Sequence, residues 1–427
     1  MSENLPVGTD VPSVVEHLFR HESGKMVATL TRIFGIEHLG LAEDVVQEAL
    51  ARALQTWPFY GLPDNPAAWI MRASRNLALD TVRRQKVFRD KQPELIRIMD
   101  RPASSNNQLI FSEEEIADDR LRMMFVCCHP LVPAESQAPL VLKTLCGFSI
   151  TEISRAFLTT EAAIAKRLTR AKQKIRSARI PFDIPAGQEL SQRLNGVLQS
   201  LYLLFNEGYK ASVGENLIRE DLCLEALRLT TLLIEHPMTN QPRAQALLAL
   251  MLLNVARFPA RVDLEGNLLL LKDQDRSQWN QEMIAAGITH LARSAVGEEI
   301  SLYHLQAGIA ACHCSAPAYE STDWLRILSL YDQLIELDPS PVVSLNRAVV
   351  VANVHGPEAG LRAIAAIPDL VALNNYYLLH ALLGELESRL DHAQSAAGHY
   401  RKSLQLAGTT SEKTFLSKRL QACEGLG

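Results

Sequence analysis

The stretch Phe148–Arg179, FSITEISRAFLTTEAAIAKRLTRAKQKIRSAR, decides how the front part of the 427-residue chain folds. Apolar residues recur at helical spacing in two runs, 150–157 and 164–175, and only residues 158–160 separate the first helix from the second, which starts at Glu161. A gap of this length admits a tight turn, and Thr160 can cap the second helix through its side-chain oxygen. The pattern therefore predicts a helix-turn-helix, whose second helix can lie in the major groove of DNA.

The second helix of this pair is strongly basic. Its single acid, Glu161, stands at the N-terminal end, which would enter a groove and where a carboxylate suits the helix dipole. The basic residues that follow are Lys166, Arg167, Arg170, Lys172, Lys174, Arg176 and Arg179. A solvated basic helix packed on its neighbour would show the same pattern, so the rest of the sequence must distinguish the two interpretations.

Composition narrows the class of protein. The net charge is −5 at pH 7, and no apolar run approaches the ~18 residues that would span a membrane. The first twenty residues show no basic start followed by an apolar core, so no secretory signal is expected. The seven cysteines have no framework spacing, which is typical of reduced thiols in a cytosol. We expect a cytoplasmic globular protein of two or three domains.

The triplet Cys312-His313-Cys314 combines two types of metal ligand. It lacks the gap of two to four residues found in zinc knuckles, and no second pair accompanies it. The sequence also has no phosphate-binding loop and no nucleophile elbow. We therefore predict structural thiols, no metal, no cofactor and no enzymatic activity.

Charge is distributed unevenly along the chain. Residues 1–185 contain 24 Lys and Arg against 22 Asp and Glu, whereas residues 186–427 contain 19 against 26. The front part concentrates its positive charge in two short stretches, 60–86 and 161–179. The acidic rear part is not expected to bind nucleic acid by itself.

Three helices are predicted in the first 86 residues. Helical apolar periods run through 13–34, 39–57 and 67–86, and a proline-rich loop that contains Phe59 and Tyr60 joins the last two. The outward face of the second helix should carry Glu43, Asp44, Gln47, Glu48 and Arg52.

The front part should divide into two domains. Residues 13–86 form the first, and a mixed-charge linker, 87–117, follows it. Two short helices, 118–130 and 134–146, should pack with the helix-turn-helix into a compact four-helix domain over 118–180.

The rear part, 188–427, reads as helical and apolar throughout. Gly384, Ala396 and Tyr400 have the spacing of a tetratricopeptide unit of 34 residues, and Tyr331 precedes Tyr400 by about two such periods. We predict stacked helix pairs. An irregular helical bundle is the alternative. The predicted fold class for the whole chain is all-α.

Several separate motifs occur in the order expected of one family. The run Asp44–Ala49, followed by Trp57, 68–70 and 75–84, resembles region 2 of a bacterial sigma factor. The helix-turn-helix, with its characteristic residues over 164–171, resembles region 4. The order of the two and the linker between them resemble the extracytoplasmic-function (ECF) group of the sigma-70 family, which has regions 2 and 4 only.

The resemblance implies how each region meets its partners. The clamp helices of the large subunit of core RNA polymerase should meet Asp44, Gln47 and Glu48, and region 4 should meet the polymerase flap. The −10 promoter element should meet Phe59, Tyr60, Arg72, Arg75, Asn76 and Arg83. Trp57 and Trp69 are instead expected to pack in the core.

Region 4 should read the −35 element from the major groove. Its candidate base readers are Glu161, Ala162, Ala165 and Lys166, near the N-terminal end of the helix. Arg167, Arg170 and Lys174 are expected to grip phosphates, which position a helix without reading sequence.

The rear part resembles an extension found in one subgroup of this family. The motifs that carry the resemblance are 203–209, 345–348 and 356–361. The resemblance implies a fused tetratricopeptide-like domain that modulates activity, with Asn346, Arg347, Gly356 and Pro357 as its contact. We expect it to dock on the sigma part and support full activity. An inhibitory lid is the opposing possibility, because the extension is acidic.

Two other kinds of protein fit parts of this pattern. One is a helix-turn-helix regulator that binds operators as a dimer and senses a protein partner through its repeats. The other is a helical scaffold whose basic helices are incidental. Dependence of DNA binding on core polymerase distinguishes a sigma factor from both.

Overall fold

The structure, a computed structural model, describes residues 10–84, 118–157, 159–178, 180–182, 185, 187–210, 218–263 and 269–425. Across these ranges the regular structure is helical, with short 3-10 turns and no β-strand, which confirms the predicted all-α class. The predicted linker 87–117, together with Leu158 and Arg179, lies outside the described residues.

The chain divides into two compact units. The N-terminal unit contains the residues up to Leu201 and the short segment His236–Thr239, and the C-terminal unit contains the rest. The division falls inside the helix Gln188–Tyr209, whereas the sequence places the start of the extension at residue 188. Leu194 and Val197, in the first half of that helix, are fully buried. This half-helix therefore belongs to the core of the N-terminal unit.

The N-terminal unit begins with an unexpected break. The predicted helix over 13–34 is two helices, because the chain bends at Glu22. Gly24 follows the bend and lies so close to Leu145 that an added Cβ would stand 1.9 Å from the Leu145 carbonyl oxygen. The apolar period continues across the bend, so the sequence pattern does not reveal it.

The helices of the N-terminal unit are α1 (Val11–His21), α2 (Ser23–Phe34), α3 (Leu39–Tyr60), α4 (Pro66–Arg84), α5 (Asp119–Cys127), α6 (Ala134–Leu145), α7 (Ile150–Ala156), α8 (Glu161–Ala178) and the first half of α9 (Gln188–Tyr209).

Helix α3 is longer than the sequence predicts. It includes Pro58, so Phe59 and Tyr60 lie in its last turn and not in the following loop. Pro58 removes one hydrogen bond close to the helix end. Gly61 ends the helix with φ +82°, and its N–H donates to the Trp57 carbonyl.

The core of the N-terminal unit follows the predicted apolar faces with two exceptions. Leu54, which continues the apolar period over 39–57, is 43% exposed because its side of α3 opens onto a shallow apolar groove shared with Val15 and Leu50. Ala156, predicted on the apolar face of α7, is exposed at the end of that helix. The helices predicted over 118–130 and 134–146 are present as α5 and α6.

The C-terminal unit is built from helices that pack against their neighbours along the chain. Helices α11, α12 and α13 form one group, and the pairs α15–α16 and α17–α18 follow. These helices are α10 (Glu220–Glu235), α11 (Pro242–Val255), α12 (Gln281–Ser294), α13 (Leu302–Ser315), α14 (Trp324–Leu337), α15 (Pro341–His355), α16 (Pro357–Ala365), α17 (Tyr377–Ser388), α18 (Ala393–Leu406) and α19 (Thr410–Glu424).

The residues that suggest a repeat pack together in the α17–α18 pair. A Cβ on Gly384 would lie 3.0 Å from the Tyr400 ring, so glycine lets the two helices approach closely here. Ala396 and Tyr400 are both buried. The spacing read from the sequence therefore marks a real contact between neighbouring helices.

Candidate polymerase and promoter interface

The outward face of α3 is exposed at the three positions predicted to contact polymerase. Asp44, Gln47 and Glu48 all reach solvent, and Glu48 pairs with Arg52 at 2.9 Å one helical turn later. The surface is acidic and spans adjacent turns of one rigid helix. An arrangement of this kind can orient a basic partner surface and raise its association rate.

Glu43, also expected to face outward, is covered by other side chains. Its carboxylate meets the ammonium of Lys172 on α8 at 2.5 Å and accepts a hydrogen bond from the Thr144 hydroxyl at 2.9 Å. The side chain is only 14% exposed. No local pattern reveals this contact, because its members lie on three helices far apart in sequence.

Two aromatic side chains project from the end of α3. Phe59 is 84% exposed and Tyr60 is 88% exposed, which is unusual for side chains of this size. Trp57, one turn earlier, is buried and meets the partly buried Trp69 edge to face, with ring centroids 5.4 Å apart. The tryptophans thus fix the α3–α4 corner from which the two exposed rings extend.

Helix α4 presents most of its predicted polar residues to solvent. Arg72, Asn76 and Arg83 are exposed, and Arg75 is half-buried. Asn65 caps the helix by accepting a hydrogen bond from the Ala68 N–H at 2.9 Å. These residues therefore lie on a helix that begins at Pro66, six positions after Tyr60.

Local hydrogen bonds build the helix-turn-helix. Ser149 and Glu152 form a capping box at the start of α7. Thr160 caps α8 as predicted, accepting a hydrogen bond from the Ala163 N–H at 3.2 Å. The Thr151 hydroxyl donates to the Glu161 carboxylate at 2.8 Å, so this candidate base reader is tied back to α7.

The other candidates on α8 differ in exposure. Ala162, Lys166, Arg170 and Lys174 are exposed. Ala165 and Arg167 are half-buried. The exposed face opposite Ile164, Leu168 and Ile175, all buried, carries both the predicted base readers and most of the predicted phosphate contacts.

The four residues predicted as the contact of the extension are not brought together. Asn346 is exposed and lines a 690 Å³ cavity of the C-terminal unit, whereas Arg347 pairs with Asp332 of α14 at 2.6 Å. Gly356, with φ +90°, and Pro357 form the α15–α16 junction. Asn346 lies ten positions before Gly356, or about 15 Å along the helix axis.

The sequence analysis also missed a buried polar cluster in the C-terminal unit. Glu412 accepts a hydrogen bond from the Tyr377 hydroxyl and lies 3.8 Å from the Lys210 ammonium. Burial lowers the pKa of Lys210 to about 8, although Glu412 opposes that shift. Lys210 lies 4.6 Å from the centroid of the Tyr377 ring.

The Cys312-His313-Cys314 triplet lies at the end of α13. Burial raises the pKa of both thiols, that of Cys314 to about 11, and burial with two nearby arginines lowers the pKa of His313 to about 4. Among the described residues, no group of three His, Cys, Asp or Glu side chains is arranged to hold a metal ion. No described helix has the length and apolarity needed to cross a bilayer.

Comparison with known proteins identifies both parts of the N-terminal unit. Residues 18–87 match the model of sigma-70 region 2, and residues 122–175 match that of sigma-70 region 4. Residues 193–295 match a family of unknown function (DUF6596). None of the solved structures matches the chain.

Relatives extend the comparison over the whole chain. An uncharacterized protein of Rhizobium meliloti is 39% identical over 396 residues, which cover 92% of each chain. A probable ECF RNA polymerase sigma factor, SigI, of Mycobacterium tuberculosis is 25% identical over 226 residues, 49% of this chain and 76% of its own.

The chain belongs to the sigma-70 family, in its ECF group, and carries a C-terminal extension. Its function is promoter recognition and transcription initiation, through interaction with core RNA polymerase and promoter DNA. The family is not enzymatic. Below, region 2 denotes α1–α4 and region 4 denotes α5–α8.

Proposed function

We propose that the chain acts as a sigma factor in the cytoplasm, and that the exposed faces of α3, α4 and α8 bind different partners. The exposure of Phe59 and Tyr60 beside an acidic helix face carries this proposal. Asp44, Gln47 and Glu48 bind the clamp helices of the large polymerase subunit. Region 4 binds the flap.

In this proposal the end of α3 and helix α4 open the −10 element. Opening DNA exposes unstacked bases, and the faces of Phe59 and Tyr60 hold them by stacking. Arg72, Arg75 and Arg83 supply positive charge along the strand, and Asn76 can pair with an adenine edge.

A pair of variants tests the role of the aromatic rings. Phe59→Ala with Tyr60→Ala should reduce promoter opening at least about thirtyfold, because two stacked bases at about 1–3 kcal/mol each are lost. Binding to core polymerase should not change. Leu62→Ala is the matched control, since Leu62 is an exposed apolar residue just beyond α3. Equal loss in control and variant contradicts the assignment.

Helix α8 reads the −35 element in this proposal. Ala162, Ala165 and Lys166 face base edges together with Glu161, and Arg167, Arg170 and Lys174 bind phosphates.

This division of α8 predicts different effects along the helix. Arg170→Ala should weaken binding of the polymerase complex at nearly all promoters and lower the salt slope by about 1. Lys166→Ala should instead change which −35 sequences are used. A similar change of sequence preference in both variants contradicts the division.

The C-terminal unit acts in this proposal as a tetratricopeptide-like domain needed for full activity. The close approach of Gly384 to Tyr400 supports the repeat-like assignment, because it joins the helices at the spacing of such a unit. The 690 Å³ cavity, which Asn346 lines, offers a concave surface for a protein partner.

Transcription by the full chain tests the role of this unit. Gly384→Leu should disrupt the α17–α18 pair and lower transcription from the cognate promoter, whereas Gly398→Leu should not, because a Cβ at Gly398 meets no atom within 4 Å. A chain ending at Leu201 should also lose activity while its helices persist by circular dichroism. Higher activity of the shortened chain would establish an inhibitory lid instead.

A further inference from the structure

The C-terminal unit contains the 690 Å³ cavity introduced above. Its wall combines the 3-10 turn Leu271–Asp273 with side chains of α13, α14, α15, α17, α18 and α19. This turn lies within residues 193–295, which match the family of unknown function, so that segment and the repeat-like helices build one wall. Cavities of about 300–1,000 Å³ have the size that encloses a small molecule.

Aliphatic and aromatic side chains form most of the cavity wall. Leu345, Val350 and Leu386 supply buried aliphatic surface. The aromatic residues that line the cavity are Tyr319, Trp324, Tyr331, Tyr377, Tyr400 and Phe415. Aromatic rings bury large apolar areas and pack on other rings in offset or edge-to-face geometry. The wall therefore favours a flat aromatic molecule.

The charged groups in the interior of the wall are matched within the protein. Glu385 pairs with Arg419 and, at 3.7 Å, with Lys272. Arg389, which also lines the cavity, is exposed to water and donates to the Ala352 carbonyl at 3.2 Å. A charged ligand would therefore lose its hydration in the interior without gaining an unmatched counter-charge there.

The other carboxylate and the buried phenols of the wall lead to the same conclusion. Glu412 is matched by the Tyr377 hydroxyl and by Lys210, as described above. Burial raises the pKa of Tyr331 to about 12, so its hydroxyl is uncharged at neutral pH. The interior of the cavity therefore suits an uncharged ligand.

One polar atom of the wall lacks a partner. His313 lines the cavity, and its Nδ1 is buried with no hydrogen-bond partner among the described residues. Burial with Arg257 and Arg276 lowers the pKa of this imidazole to about 4, so the ring is neutral at pH 7. A neutral imidazole nitrogen accepts or donates one hydrogen bond, according to its tautomer. Leaving it unpaired costs free energy, which a ligand hydroxyl or amine recovers.

We propose that this cavity is a binding site for an uncharged aromatic small molecule with one hydrogen-bonding group, held by ring packing and by Nδ1 of His313. Asn346 and Val349 are exposed lining residues, so the cavity is open to solvent along α15. The inference goes beyond the proposed function, because the small molecule fills the interior whereas a protein partner meets the surface around it.

Two dyes with the same ring system test this site in the full chain. N-phenyl-1-naphthylamine is uncharged, carries one N–H and fluoresces when it leaves water. Protein titrated into this dye should give a saturable signal with a Kd of about 10 µM, an ordinary efficiency for a ligand of this size. Its sulfonated analogue, 8-anilino-1-naphthalenesulfonate, should bind at least about tenfold more weakly, because the interior offers its charge no free partner.

A matched pair of substitutions locates the bound dye. Val349→Trp places a bulky ring at the cavity and should weaken binding at least about tenfold by occupying the space. Val371→Trp makes the same change at a 74% exposed position outside the cavity wall and should leave binding unchanged. His313→Phe keeps a flat ring without Nδ1 and should weaken binding about fivefold.

A further measurement leaves the cavity volume nearly unchanged. Trp324 lines the cavity, so light absorbed by tryptophan should be transferred to the bound dye. Trp324→Phe should lose much of this transfer while its circular dichroism matches that of the natural chain. Full transfer in this variant overturns the site.

The remaining outcomes are equally decisive. Absence of saturable binding up to about 100 µM protein overturns the inference. Equal binding of the two dyes overturns the uncharged ligand, and unchanged binding in His313→Phe overturns the polar contact. Binding that survives Val349→Trp and is lost in Leu54→Gln places the dye in the apolar groove of region 2 and overturns the site. Dye binding needs neither polymerase nor promoter, so failure of the natural chain to start transcription contradicts the proposed function and not this site.

Discussion

Two charged clusters, one in each unit, lie in different surroundings. In the N-terminal unit, charged contacts such as Glu43 with Lys172 join separate regions and remain partly open to solvent. In the C-terminal unit, Glu412 is 5% exposed and accepts from the Tyr377 hydroxyl and from the N–H groups of Gly408 and Thr409.

The difference teaches which charged cluster depends more on its partners. Separating a partly exposed ion pair costs little, because water replaces each partner. Removing a partner from a buried carboxylate leaves donors without acceptors and costs several kcal/mol. The Glu412 cluster should therefore contribute more to the stability of its unit than the Glu43–Lys172 pair contributes to the stability of the N-terminal unit.

The largest effect is expected from Glu412→Ala. It removes the capping box of α19 and leaves the Tyr377 hydroxyl and two backbone N–H groups without their acceptor. The free energy of unfolding of the C-terminal unit should fall by about 4 kcal/mol in urea titrations. Glu424→Ala, which removes the exposed pair with Arg401, should cost less than about 1 kcal/mol. Similar losses in the two variants would remove the contrast between buried and exposed carboxylates.

A somewhat smaller effect is expected from Gly24→Ala in the N-terminal unit. The added methyl group would overlap the Leu145 carbonyl, and overpacking of this kind costs about 1–3 kcal/mol. The variant should lose this much free energy of unfolding in urea titrations of the N-terminal unit and keep its helical circular dichroism. Gly40→Ala, where a Cβ meets nothing within 4 Å, should keep both its stability and its helicity. Equal stability of the two variants would show that the close approach of α2 to Leu145 does not constrain the N-terminal unit.

The third prediction concerns acid and the C-terminal unit. Burial and Arg257 with Arg276 lower the pKa of His313 from 6.5 to about 4, so the unfolded state binds this proton more readily. The contribution of neutral His313 to the free energy of unfolding is therefore fully present above pH 6.5 and is lost as pH falls towards 4. The loss is about 2 kcal/mol at pH 5. His313→Leu should lose less stability than the natural chain between pH 7.5 and pH 5. The exposed control His355→Asn should behave like the natural chain. An unchanged acid loss in His313→Leu contradicts the assignment.

The smallest effect is expected from salt. Raising ionic strength from about 0.05 M to 0.5 M screens partly exposed ion pairs, so the loss of unfolding free energy caused by Lys172→Gln should shrink by about 0.5 kcal/mol in urea titrations. The loss caused by Glu412→Ala should change by less than about 0.3 kcal/mol, because the Glu412 side chain is only 5% exposed. A larger response of the Glu412→Ala loss than of the Lys172→Gln loss would reverse the comparison.

Local patterns predicted most helices but not their ends or bends. The helical apolar period located α3, yet Pro58 suggested an end before Phe59 and Tyr60, which in fact complete the helix. The bend at Glu22 interrupts no apolar period and depends on the packing of α2 against α6. Such features arise from contacts between distant segments, which local propensity does not encode.

The sequence also predicted the exposure of the site residues but not their contacts with distant segments. The exposure of Asp44, Gln47 and Glu48 follows from helical periodicity, because each lies opposite the apolar face of α3. Glu43 has the same residue type and lies next to this face, but region 4 covers it. Periodicity predicts which side of a helix is polar, and it contains no information about what later packs on that side.

The sequence by itself determined the all-α class, the helix-turn-helix with its Thr160 cap, and the two sigma regions in order. These depend on spacing and residue type within short segments, where capping and periodicity act. Only the tertiary structure shows that Glu43 pairs with Lys172, that the backbone of Leu145 packs closely against Gly24, and that α9 is shared between two units. The reason is physical: such contacts join residues more than a hundred positions apart or divide a continuous helix, and their energy exists only once the chain has packed.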